Sequence, residues 1–198
     1  MSSGLYDNLV KHGLLISHDD APNNVTTDIE SYKIICPQQL PFVSYPYEWS
    51  FSQLKDAALA TLSIQKHAIK HRMILKDASA YNIQFVNGKP MFIDTLSFES
   101  YEEGQPWSAY KQFCQHFLAP LTLMSYKDVR LSQLLRVHID GVPLDLASSL
   151  LPKRTYFNIG LVMHLHLHAR AQKRYEDDTT SVKSTRKLSK QASLNIIS

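Results

Sequence analysis

The stretch Leu75–Phe98, LKDASAYNIQFVNGKPMFIDTLSF, decides how the rest of the chain is read. Its runs NIQFV and PMFID are rich in strand-forming residues and flank Asn87-Gly88, a dipeptide that accepts positive φ at both central positions of a tight turn. The pattern predicts a β-hairpin. Asp77 is placed just after a helix, Asn82 at the head of the first strand and Asp94 at the end of the second. Because a hairpin folds the chain back on itself, Asn82 and Asp94 come together at its open end. Two converging oxygen-bearing side chains with another carboxylate nearby suit a hard cation such as Mg²⁺, which binds through one or two carboxylates and substrate phosphates. The Asp77 carboxylate is then a candidate proton acceptor for a substrate hydroxyl. The same residue types also serve ordinary turns and strand ends, where they bond local backbone. Sequence leaves both readings open.

Upstream, Ser50 is a good N-cap with Gln53 completing a capping box, which predicts a helix from about Phe51 to His71. Leu54, Ala57, Ala58, Leu62, Ala68 and Ile69 form its buried stripe, while Lys55, Lys66 and Lys70 face out. Before it, PFVSYPYEW reads as an extended segment in which Pro41 and Pro46 limit sheet pairing. SYKIICP reads as a strand, and SGLYDNLVKHG as a helix with Leu5, Leu9 and Val10 on one side and Gly13 as its stop. After Pro106 the pattern is helical, through SAYKQFCQHFLAPLTLM, VRLSQLLRVHI and LVMHLHLHARAQKRY. The fold class expected is α+β.

The spacing Asp77-x4-Asn82, with a hairpin next and Asp94 twelve residues after Asn82, resembles the catalytic core of the protein-kinase-like fold. That superfamily includes phosphotransferases of the aminoglycoside and choline kinase kind. The resemblance implies a mostly helical C-lobe with a partial N-lobe sheet. It implies Asp77 as the catalytic residue, Asn82 and Asp94 as Mg²⁺ ligands, and a small-molecule hydroxyl acceptor. The SYPYEW segment would be the hinge between lobes, with Tyr47 and Glu48 near the adenine of ATP. Departures are plain: Leu75-Lys76 replaces the family's His-Arg, Thr95-Leu96 replaces its Phe-Gly, and Ser79 stands where a lysine is common. The glycine-rich loop and strand lysine expected before the first helix have no counterpart, and Asp7 is that helix's only acidic residue.

A wider resemblance rests on PFVSYPYEWSFSQLKDAALATL, LKDASAYNIQF, FIDTLSFE, W-x2-Y-x2-FC-x2-FLAPL and HLHLHA. These runs are similar to the amino-terminal half of bacterial proteins labelled SAM-dependent methyltransferases, some called nodulation-related. The resemblance implies a kinase-like region that precedes a methyltransferase domain in longer proteins, with this chain as the first part only. S-adenosylmethionine is then not bound by this segment. The expected division is a partial N-lobe over 1–49, a kinase-like helical lobe over 50–175, and a disordered tail or linker over 176–198, where Ser and Thr abound and large apolar residues are few. Two functions are then open: a Mg²⁺–nucleotide site of phosphotransferase type, or a non-catalytic, pseudokinase-like module that binds or positions a methyltransferase domain in cis or in trans.

Composition bounds the alternatives. At 198 residues, 44% apolar and 10% aromatic, the chain can build a core. Its six glycines are never closer than nine residues, which leaves no glycine-rich phosphate or methyl-donor loop. Cys36 and Cys114 lie far apart and indicate neither a disulfide framework nor a zinc site. Without an apolar run of the roughly 18 residues a membrane span needs, or a signal-peptide pattern, no membrane partner is expected and the location expected is cytoplasmic. The +3 net charge is uneven, −4 over 1–60, +2 over 61–140 and +5 over 141–198. That basic end, which includes Lys153, Arg154, Arg170, Lys173, Arg174, Lys183, Arg186, Lys187 and Lys190, reads as a solvated helix end and tail, because no RNA-binding motif accompanies it. Nucleic acid is not the expected partner.

Other conspicuous residues have plainer uses. On a helix His164 and His168 share a face and His166 does not, which favours packing or surface roles over a metal site. Tyr45, Tyr47, Trp49 and Phe51 read mainly as packing between lobes, and Trp107, Tyr110, Phe113 and Phe117 as core. Cys114 reads as a small buried apolar residue rather than a nucleophile.

Overall fold

A computed structural model of the chain describes residues 3–21 and 33–170. The tail over 176–198, most of the basic end and part of the SYKIICP run lie outside the described residues. Among the described residues the architecture is α+β, helices with three small antiparallel strand pairs.

Helix α1 (Leu5–Lys11) turns Leu5 and Leu9 into the core and stops at Gly13, whose φ of 65° suits a helix end. Strand β1 (His18–Asp20) pairs with β2 (Ile35–Pro37), His18 opposite Pro37. The expected extended segment is corrected in part: Pro46–Glu48 form a 3₁₀ turn. Pro46 presets the first position, Tyr45 N–H donates to the Glu48 carboxylate and Glu48 N–H to the Tyr45 carbonyl, each at 2.8 Å, so local bonding wins over sheet pairing. Helix α2 (Phe51–Lys70) starts as its capping box predicts: Gln53 N–H donates to Ser50 Oγ at 3.2 Å and Ser50 N–H to Gln53 Oε1 at 2.9 Å.

Between α2 and Asp77 lies a short strand, β3 (Met73–Leu75), so Asp77 comes after a strand and not a helix. Arg72, at φ 58°, makes the reversal out of α2. Strand β3 pairs with β6 (Phe98–Ser100), with Leu75 opposite Phe98. Between them stands the expected hairpin of β4 (Ile83–Val86) and β5 (Lys89–Phe92), with Asn87 at φ 51° and Gly88 at φ 76°. The chain after α1 joins the free side of β5, since Ile16 N–H donates to Phe92 O and Phe92 N–H to Leu14 O, each at 2.9 Å.

The helical part opens with α3 (Tyr110–Phe113), a π-helical turn (Cys114–Leu118) and α4 (Ala119–Tyr126) run together. A 3₁₀ turn (Val129–Gln133) leads to α5 (Leu134–Val137), then α6 (Leu144–Leu150), a 3₁₀ turn (Lys153–Phe157) and α7 (Ile159–Leu161). A second π-turn (Val162–His166) continues α7 toward Arg170. One core cluster holds Leu9, Trp49, Leu54, Ile64, Phe92, Phe117, Leu123 and Leu165, so residues on both sides of position 50 pack together. Each fully buried large aliphatic or aromatic side chain of this kind contributes about 1.5–3 kcal/mol.

Candidate functional site

Asp77 is fixed from both sides. Its Oδ1 accepts from Ser79 N–H and from the Gln112 side-chain amide, both at 2.9 Å. The Gln112 carbonyl accepts in turn from Ala78 N–H at 2.7 Å. Ser79 Oγ accepts from Tyr81 N–H at 3.2 Å, which starts the 3₁₀ turn Ala80–Asn82. Both donors use one carboxylate oxygen, and Oδ2 has no hydrogen-bond partner among the described residues.

Asn82 and Asp94 converge as the hairpin requires. Ile93 N–H donates to Asn82 O at 2.8 Å, and the side chains meet through Ser97: Asn82 Nδ2 donates to Ser97 Oγ at 3.5 Å, and Ser97 Oγ–H to Asp94 Oδ2 at 2.6 Å. Asp94 Oδ1 accepts from Leu96 N–H at 2.8 Å. With its nitrogen on Ser97, the Asn82 amide oxygen has no hydrogen-bond partner among the described residues. Ser97 is buried and its carbonyl accepts from Lys76 N–H at 2.8 Å, which ties the residue before Asp77 to the same centre. Asp77, Asn82 and Asp94 thus share one end of the hairpin. Asp77 itself is not hydrogen-bonded to the other two. Among the described residues no three His, Cys, Asp or Glu side chains form a metal-holding group. The set present is one carboxylate and one amide, which fits a cation completed by ligand phosphates.

Tyr47 and Glu48 line a groove of about 600 Å³ with Phe51, Met124, Arg130 and Gln133. The Tyr47 ring stacks on Tyr45 with centroids 5.5 Å apart, and the Arg136 guanidinium lies 5.9 Å from its centroid. Burial raises the Tyr81 pKa, with Tyr47 adding to the shift, and none of Asp77, Asn82 and Asp94 lines the groove that holds Tyr47 and Glu48. Glu48 is already engaged, one carboxylate oxygen accepting from Tyr45 N–H at 2.8 Å. Trp49 is buried, donates to Ser44 Oγ at 2.9 Å and meets Phe85 edge-on, as packing residues do.

His116, in the first π-turn, is 1% exposed and its Nδ1 has no hydrogen-bond partner among the described residues. Burial lowers its pKa to about 4, against the pull of Asp77 and Asp140. It is therefore neutral at pH 7 and supplies no cation to Asp77. The three C-terminal histidines divide as helical geometry expects: His164 is hydrogen-bonded to the Tyr110 hydroxyl and His168 packs on Tyr110, while His166 is buried between Ser148 and Thr155. Burial pushes the Cys114 thiol up to about 11, as befits a core residue.

Gln112 and Ser97 were not legible as site residues. Gln112 reaches Asp77 only through tertiary packing and leaves no signal in sequence. Ser97, three residues after Asp94 in DTLS, carries the weaker signal of a short polar turn motif.

Comparison with known proteins adds a relative. The chain is similar to nodulation protein NoeA of Rhizobium meliloti (strain 1021). The two are 39% identical over 166 residues, which cover 83% of this chain and 35% of NoeA. The chain thus spans about a third of the length of this curated relative. No family model and no solved structure matches the chain. Among the described residues no helix is long and apolar enough to cross a membrane.

Proposed function

We propose that the chain is a protein-kinase-like lobe, from the amino-terminal part of a longer methyltransferase-type protein, that binds a Mg²⁺–nucleotide phosphate at Asn82 and Asp94 and faces Asp77 toward a small hydroxyl acceptor. The observation that carries this reading is the meeting of Asn82 and Asp94 on Ser97 at the open end of the hairpin. Asn82 Oδ1 and Asp94 would hold the cation, which when bound neutralises phosphate charge and orients the phosphates. Asp77 keeps Oδ2 for the acceptor's proton while Oδ1 is held in place. Tyr47, stacked on Tyr45 in a separate groove, would offer an aromatic face for the base.

Thermal unfolding with millimolar ATP and Mg²⁺ tests the proposal. A rise in midpoint that requires both, and that Asp94→Ala abolishes, is the expected result; an unchanged midpoint in folded protein refutes it.

A second reading is a non-catalytic module that positions a methyltransferase domain in cis or in trans. Phe157, Ile159, Met163 and Leu167 favour it, because these apolar residues near the last helix are 91, 77, 54 and 48% exposed. Titration with a separately expressed downstream domain from a longer relative tests this reading. Absence of binding at high micromolar concentration would overturn it.

A further inference from the structure

The hydrogen bonds around Asp77 lead to a residue outside the expected catalytic loop. Gln112 stands on α3, more than thirty positions along the chain, yet its amide group meets the loop with both ends. Nε2 donates to Asp77 Oδ1 at 2.9 Å and Oε1 accepts from Ala78 N–H at 2.7 Å. Ala78 is fully buried, so no water replaces that acceptor, and an unpaired N–H there would carry a desolvation cost. The two-ended contact fixes the direction of the amide and thereby the donor at Asp77.

The helix geometry explains how Gln112 reaches the loop. A π-turn inserts about one residue into a helix and rotates the turns before it relative to the turns after it. Here Cys114–Leu118 form such a turn directly after α3, with Ala119 N–H bonded back to Cys114 O. The insertion lets Leu123 face the core from α4 while Gln112 faces Asp77 from α3. It also frees the carbonyl of Gln115, which accepts from Val142 N–H at 2.9 Å. Gly141 allows that approach: a Cβ there would lie 2.6 Å from Gln115 Cβ and 2.9 Å from its backbone carbon.

We infer that Gln112 is the positioning residue for Asp77, held in register by the π-turn and its Gly141–Val142 brace, so that Oδ1 is committed and Oδ2 is presented to a ligand. The catalytic meaning of this arrangement rests on the reading of Asp77 given above, whereas the positioning itself does not.

Amide hydrogen exchange on the full chain separates the two. Ser79 N–H is protected by Asp77 Oδ1 and Ala78 N–H by Gln112 Oε1. In Gln112→Leu both protections should fall by roughly tenfold, the amount one such bond contributes. Gln112→Glu keeps the size and an acceptor for Ala78 but turns a carboxylate toward Asp77. There Ser79 should lose protection while Ala78 keeps it, a split that general loosening of the fold would not produce. Ser79 protection unchanged in either variant that folds overturns the inference. Binding of Mg²⁺ and ATP to the same proteins forms a separate arm. Unmodified protein that shows the exchange pattern but binds no nucleotide would refute the proposed function and leave the positioning role standing. If nucleotide binds, Gln112→Glu should lower the rate of transfer by at least tenfold with KM for nucleotide little changed, and equal rates would overturn the role.

Discussion

Gly141→Ala should destabilise the protein by about 2–5 kcal/mol, and the amount can be worked from two separate costs. Gly141 has φ 92°, a conformation that costs an L-residue roughly 1–2 kcal/mol. The added Cβ would also stand 2.6 Å from Gln115 Cβ, 2.9 Å from the Gln115 backbone carbon and 3.0 Å from His116 Cδ2. Backbone on one side and a buried ring on the other leave little room to yield, and overpacking of this kind costs about 1–3 kcal/mol. Gly13→Ala is the control, because Gly13 has φ 65° with nothing within 4 Å of its would-be Cβ. It should carry the backbone cost alone. Urea unfolding of the three proteins at one pH, compared at equal m, gives the difference between the variants. A Gly141 variant no more destabilised than the Gly13 variant would refute the close approach, and with it the brace that holds the π-turn in register.

The same contacts set further outcomes. Ser97→Ala removes the 2.6 Å bond to Asp94 and the link to Asn82, so affinity for Mg²⁺ and ATP should fall by about tenfold with a small loss of stability; titration calorimetry checks it, and unchanged affinity would remove Ser97 from the site. Acid should weaken the fold through His116, whose pKa of about 4 lies below the ordinary 6.5, so the unfolded chain takes up the proton first. The contribution is complete above pH 6.5 and is lost as pH falls toward 4, on the order of 3 kcal/mol, and His67, whose pKa burial also lowers, acts in the same direction. Unfolding midpoints from pH 7.5 to 4 should therefore drop less in His116→Phe, and parallel curves would sink the assignment. Phe92→Ala, at a fully buried residue between the hairpin and the chain after α1, should cost about 3–5 kcal/mol in denaturant unfolding.

The features legible in the sequence were local ones. Ser50 and Gln53 mark the start of α2 because a cap is a contact between near neighbours, and Asn87-Gly88 mark the hairpin because its turn needs positive φ at two adjacent residues. That turn alone implies the meeting of Asn82 and Asp94, since pairing Ile83 with Phe92 leaves both just beyond the strand ends. The β3–β6 pair was hidden, because three-residue strands show no period and Leu75 meets Phe98 only in three dimensions. The 3₁₀ turn at Pro46–Glu48 was hidden for another reason: alternating aromatic residues look extended, whereas the Glu48 carboxylate on Tyr45 N–H decides the conformation. The π-turns left no trace in the apolar pattern, which continues through them.

The site is built from local and long-range information in different proportions. Asn82 and Asp94 are brought together by a hairpin, which its own turn residues specify, so their placement needs little help from the rest of the chain. Asp77 is different. It leaves β3, a three-residue strand with a distant partner, and its carboxylate is oriented by Gln112 from a helix whose direction depends on an inserted residue and on a glycine at position 141. Substitutions at Gly141 or in the π-turn should therefore move Asp77 while leaving the Asn82–Ser97–Asp94 contact intact. Substitutions at Asn87 or Gly88 should disturb Asn82 and Asp94 first, because the register of β4 and β5 depends on that turn. The two halves are nevertheless joined, because Lys76 N–H bonds Ser97 O at 2.8 Å and Asn82 N–H bonds Ser79 O at 3.1 Å, so the first effect of a substitution, rather than its full extent, distinguishes them.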